Sequence, residues 1–170
     1  MTEKKTESCS FTGHRQIESG HKPSIDGLTL RAVEYAYSRG VRKFYTGGAL
    51  GFDTVAARAV ILFRMTNPDC ELHLILPCAD QSVRWRNEDK EAYEHILSMA
   101  NSVICLSDEY TPECMKARNA ELVKRADMLI AYASRERSGA GQTVRMAQRK
   151  GIPVYNLFAS CGKESAQGEN

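Results

Sequence analysis

The stretch FYTGGALGFDTVAA, residues 44–57, decides how the rest of the chain is read. Its apolar start, Phe44-Tyr45, runs into Gly47-Gly48, passes Gly51, and resumes as a helical pattern carrying Asp53 and Val55-Ala56-Ala57. A strand that hands over to a helix through clustered glycines has two physical readings. Either the turn is tight and no Cβ fits, or an anion must approach backbone N–H groups at a helix N-terminus.

The same alternation extends in both directions. Short apolar runs at about 8–12, 41–46, 71–77, 102–107, 127–133 and 152–158 read as strands. Helical patterns lie between them, at about 25–39, 52–67, 81–100, from Thr111-Pro112-Glu113 onward, and 141–150. Gly40 and Gly151 stand where helix ends favour glycine, Pro112 stands where a first helical turn tolerates proline, and Asn67-Pro68 stops the second helix. Pro153 marks the last strand as an edge strand. Repeated β-α-β units with right-handed crossovers imply an α/β fold: three layers, Rossmann-like and doubly wound, with a mostly parallel sheet of about six strands. One domain is expected over 8–157, with disordered tails at 1–7 and 158–170.

Composition narrows the function. The chain has 170 residues, 42% of them hydrophobic and 26% charged, as ordinary globular domains do. Its net charge of +2 gives no electrostatic case for nucleic acid or a membrane surface. No apolar run reaches the ~20 residues that span a bilayer, and the start, MTEKKTE, is polar rather than a secretory leader. The six cysteines are scattered, without a C-x-x-C pair or histidines at ligand spacing. They read as reduced thiols of a cytoplasmic protein, with no metal site and no disulfide framework.

In a doubly wound sheet ligands bind beyond the carboxyl ends of the strands, so the loops delivered there carry the site. Thr12, Gly13 and Arg15 follow the first strand, and Gly47, Gly48, Gly51 and Asp53 follow the second. Trp85 follows the third, and Ser138, Gly139, Gly141, Gln142 and Thr143 follow the fifth. The two glycine loops are expected to form backbone cradles facing one crevice, so that a side chain at Gly48 would enter it. Arg15 can fork onto a phosphate. Asp53 reads either as a helix cap or as a ribose partner, and Trp85 either as core or as a stacking platform. His14 has no nucleophile placed beside it by sequence. Arg118 and Asn119 read as a solvated helix face, and Arg135 and Arg137 flank the second glycine loop. Neither loop has the G-x-G-x-x-G or G-K-[ST] pattern of generic nucleotide sites.

Taken together, TGHR (12–15), GGALGFDTVAA (47–57), ILPCADQSVRWRNED (75–89) and the run from Ala117 to Val154 resemble the YpsA-like branch of the SLOG superfamily, from about residue 8 to 157. The resemblance implies a Rossmann-like bacterial protein that binds a nucleotide-derived ligand, ADP-ribose or NAD-related, on the residues just named, with Asn87 beside Trp85. It also implies kinship with cytokinin-activating phosphoribohydrolases (LOG enzymes), the DNA-processing protein and molybdenum-cofactor carriers, relatives among which a homodimer is common. LOG enzymes carry P-G-G-x-G-T-x-x-E, whereas here Ser138 stands at the proline position and Met146 at the glutamate position. The expected function is therefore binding or sensing of a nucleotide-like ligand. The alternative is a LOG-type hydrolase or N-glycosidase drawing its acid from Asp53, Glu88 or Asp89. No catalytic residue, cofactor or metal is assigned.

Overall fold

A computed structural model describes residues 5–161. Six strands form one all-parallel sheet: β1 (Ser8–Gly13), β2 (Lys43–Thr46), β3 (Glu71–Leu76), β4 (Ser102–Cys105), β5 (Met128–Tyr132) and β6 (Val154–Asn156). Five α-helices connect them: α1 (Lys22–Ser38), α2 (Phe52–Arg64), α3 (Asn87–Met99), α4 (Cys114–Arg125) and α5 (Gly139–Lys150). The α/β Rossmann-like architecture expected from the alternation is the one observed.

The order across the sheet is β4-β3-β2-β1-β5-β6. From β1 the chain steps outward to β4, then crosses back to lay β5 against the other side of β1. Helices α1 to α3 pack together on one face, and α4 and α5 on the other. Strand order thus reverses between β1 and β5, where Gly13 pairs in register with Tyr132.

Burial follows this order. Every residue of β5 is buried, as is the interior of β1, because both strands are covered on both faces. The edge strands β4 and β6 are partly exposed, and Pro153 lies immediately before β6, as an edge position allows. The core beneath the β1–β5 junction is aromatic. Phe52 stacks on Tyr132 at 5.7 Å between ring centroids and meets Phe11 edge-on at 6.3 Å.

Helix ends are tied by local chemistry. Ser138 caps α5, its Oγ accepting from the Gly141 amide at 3.0 Å. Gly151 ends that helix in the left-handed region at φ 84°. Lys150 Nζ donates to the Val123, Lys124 and Ala126 carbonyls, which serves the end of α4 rather than its own helix. Two helices begin later than the sequence suggests: 81–86 form turns before α3, and Pro112 and Glu113 precede α4. Of the segment expected as a C-terminal tail, 158–161 are helical and Cys161 is fully buried. The remainder of both expected tails, 1–4 and 162–170, lies outside the described residues. Five of the six cysteines are buried and Cys105 is exposed. Among the described residues no helix is long and apolar enough to cross a membrane, and no cluster of His, Cys, Asp and Glu suits a metal ion.

Candidate functional site

A cavity of about 300 Å³ opens at the β1–β5 switch. Thr12, Gly13 and Arg15 approach it from the end of β1, Ala49 from the β2–α2 turn, Asp53 from the first turn of α2, and Ser138, Gly139 and Ala140 from the start of α5. Arg118 and Asn119 of α4 close one wall and Arg135 the rim. The two glycine loops meet over one hollow through Ala49, Asp53, Ser138, Gly139 and Ala140, and not through Gly47, Gly48, Gly51 or Gly141.

The glycines themselves answer the question of why they are there. Gly48, at φ 70°, is buried and faces away from the cavity: a Cβ there would lie 2.8 Å from Leu76 Cδ2 and 3.3 Å from a Tyr93 ring carbon. A Cβ at Gly47 would strike the Arg118 guanidinium. One at Gly51 would run into the backbone carbonyls of His14 and Arg15, and one at Gly13 would lie 2.5 Å from Phe52 Cβ. Gly141 sits under the Arg135–Glu136 backbone and opens onto a different hollow, shared with Val144 and Asn156. In each case close packing of protein against protein requires the glycine. Gly139 differs, since a Cβ there would meet only Asn119 Nδ2, at 3.7 Å. Gln142 is exposed, with its amide nitrogen on the Arg137 carbonyl, and Thr143 is fully buried, its hydroxyl donating to the Gly139 carbonyl. Neither lines the cavity. The expectation of two glycine cradles is therefore corrected: one helix N-terminus, that of α5, faces the space, and the first loop contributes Ala49 and Asp53.

Arg118 is the residue that sequence reading missed. Expected on a solvated helix face, it is 5% exposed. Its Nη1 donates to the Gly47 carbonyl at 2.8 Å and its Nε to Asn119 Oδ1 at 2.8 Å. The signal was present. Cys114, Arg118 and Leu122 recur at four-residue spacing, all three are buried, and the helical period puts an arginine into an apolar stripe.

Asp53 is also buried, at 5% exposure, and is the second residue of α2. Its Oδ2 accepts from the Ala49 amide at 3.1 Å, so it ties down the preceding turn rather than capping the helix. Burial pushes its carboxyl above the usual range, and the facing Arg118 opposes the shift. Burial likewise lowers Arg118 from its usual value, with Asp53 opposing. The wall therefore holds a mutually dependent acid and base with two further guanidinium groups, Arg15 and Arg135, at its mouth. Glu88 and Asp89, on the first turn of α3, do not line the cavity.

His14 braces β1 to the β5–α5 loop. Its Nε2 accepts from the Ser134 amide at 2.8 Å, and its ring meets Tyr132 and Phe158 edge-on. Burial and the Arg135 charge hold its imidazole below the ordinary range, against a smaller opposing effect of Glu18. Burial lowers His73 as well, with Glu71 opposing. A lowered histidine contributes stability that is complete above its unfolded value of 6.5 and is lost as pH falls through its folded value. The melting temperature is accordingly expected to fall between about pH 7 and about pH 5, and His14→Gln to flatten part of that slope. A melting temperature constant over this range, read by circular dichroism, would contradict the assignment.

Trp85 is half-buried. Its ring meets Tyr93 edge-on at 5.0 Å, it packs against the main core, and it also lines a second cavity next to the first.

The YpsA family model, described as the YspA SLOG family, matches residues 11–152. The chain belongs to the YspA SLOG family. It is 30% identical over 159 residues to a UPF0398 protein of Bacillus thuringiensis strain Al Hakam, covering 88% of this chain and 86% of the relative. It is 30% identical over 160 residues to the UPF0398 protein of Bacillus cereus strain B4264, covering 88% and 87%. Among solved structures it is similar in fold to DNA processing protein A of Helicobacter pylori (TM-score 0.62, 18% identity, 88% of this chain) and of Streptococcus pneumoniae (0.63, 17%, 96%). It spans 64% and 57% of those two longer chains.

Proposed function

We propose that this family member binds or senses a phosphate-bearing, nucleotide-derived ligand, ADP-ribose-like or a nucleoside phosphate, at the carboxyl ends of β1 and β5. One observation carries the reading. A cavity of about 300 Å³ at the strand-order switch gathers a buried arginine, two rim arginines and the Ser138–Gly139–Ala140 start of a twelve-residue helix. The chain as a whole is near neutral, so this is a local concentration of positive charge rather than a basic surface. A helix N-terminus offers N–H groups and about half a positive charge, and arginine adds a planar fork for phosphate oxygens.

Calorimetric titration with pyrophosphate, AMP and ADP-ribose tests it. Saturable binding is expected, weakened about tenfold by Arg15→Ala or Arg135→Ala, the loss of one charge-assisted hydrogen bond. No binding to the unsubstituted chain, or binding indifferent to both substitutions, would refute it. Salt-sensitive retention on single-stranded DNA with no affinity for the small ligands would point instead to the activity described for the Helicobacter protein.

Glycosidic or phosphate-ester hydrolysis has one observation in its favour: Asp53, a buried carboxyl with raised proton affinity, lines the cavity. Its test is release of adenine or ribose 5-phosphate in proportion to protein, abolished in Asp53→Asn.

A further inference from the structure

The central cavity does not stand alone. On the β3 side a second cavity of about 610 Å³ adjoins it, and Arg15 and Met115 line both. Val83, Trp85 and Tyr110 supply an apolar and aromatic lining, and Asp80, Gln81 and Arg84 polar groups at its edge.

These side chains are held differently. Trp85 is fixed edge-on against Tyr93, and the Tyr93 hydroxyl in turn accepts from Gln81 Nε2 at 2.9 Å. Val83 and Tyr110, by contrast, are 63% and 64% exposed. Lining one cavity together, they form an exposed apolar surface in a groove, the kind of surface a ligand covers. The shared wall sets how that ligand lies. A ligand with an anion on the arginines and the α5 N-terminus that extends past Arg15 and Met115 would lay its next group against Val83, Trp85 and Tyr110.

We propose that this second cavity receives the planar heteroaromatic ring of a nucleotide whose phosphate occupies the central cavity. The inference rests on the phosphate site proposed above and adds where the base lies. Flat rings pack well on aromatic and thioether side chains, and polar edge groups can read ring nitrogens and exocyclic amines. Tyr110 supplies ring surface exposed to solvent, Met115 a deformable wall, and Trp85 a rigid one.

Trp85 is the only tryptophan, so tryptophan emission comes from a side chain that lines this cavity. The full chain is titrated with AMP, ribose 5-phosphate and pyrophosphate, with calorimetry in parallel. AMP is expected to change the emission saturably, while ribose 5-phosphate and pyrophosphate bind by calorimetry and leave it unchanged. Tyr110→Ala, at an exposed position, is expected to weaken AMP about tenfold and pyrophosphate not at all. Equal affinity for AMP and ribose 5-phosphate, or AMP binding with unaltered emission, overturns the base site and leaves the phosphate site standing. Failure of pyrophosphate and AMP alike overturns both.

Discussion

Gly51→Val is expected to destabilise the protein by about 3 kcal/mol or more, a large part of the stability of a domain this size. Gly51 has φ 77° and ψ −122°, outside the regions open to a side-chain-bearing residue. Space is lacking too, since its Cβ would lie 2.5 Å from the His14 carbonyl oxygen and overlap the Arg15 backbone. That carbonyl already accepts from the Phe52 amide at 3.1 Å, which locks the β1 loop to the start of α2, so neither backbone can withdraw cheaply. Gly139→Ala is the control, because its Cβ meets nothing closer than 3.7 Å and the first turn of a helix favours alanine over glycine. Urea midpoints should separate the two variants widely. A Gly51→Val chain as stable as the parent would refute the packing account of the first glycine loop.

Arg118→Met carries the second large effect, and it acts on stability and binding together. The substitution keeps side-chain length and removes the fork that satisfies the Gly47 carbonyl, leaving the buried Asp53 without its facing cation. Stranding a buried charge and a buried carbonyl is expected to lower stability by about 3 kcal/mol. Pyrophosphate binding should disappear with it. Arg118→Lys retains charge without the planar fork and should recover part of the stability but little of the affinity. Both are read by urea denaturation and calorimetry on the same preparations. Full stability in Arg118→Met would mean that Asp53 does not depend on it.

The layered fold was legible because each strand lies in an apolar run and because α1, α2 and α5 stop close to Gly40, Pro68 and Gly151. Strand order was not. Nothing in the run 127–133 says that it crosses to the far side of β1, since local pattern encodes an element and not its neighbour. The site was legible in part. Arg15, Asp53 and Ser138 line the central cavity because strand-end loops converge in such a fold. The glycines were misattributed at Gly48 and Gly141 because sequence cannot tell a missing Cβ that admits a ligand from one that admits Leu76 or the Arg135 backbone. Arg118 was lost for a different reason. An arginine in a helix is usually wet, and only its place in the Cys114–Leu122 stripe marked it as buried.

The central claim is that an anion sits between the ends of β1 and β5, against the first turn of α5. Amide chemical shifts followed by NMR while pyrophosphate is added to the full chain address it most directly. The account predicts saturable movement of the Gly139 and Ala140 amides, with Ala49 and Gly13 following at the same dissociation constant. Movement confined to other surfaces, with Gly139 and Ala140 unmoved at saturation, would contradict it.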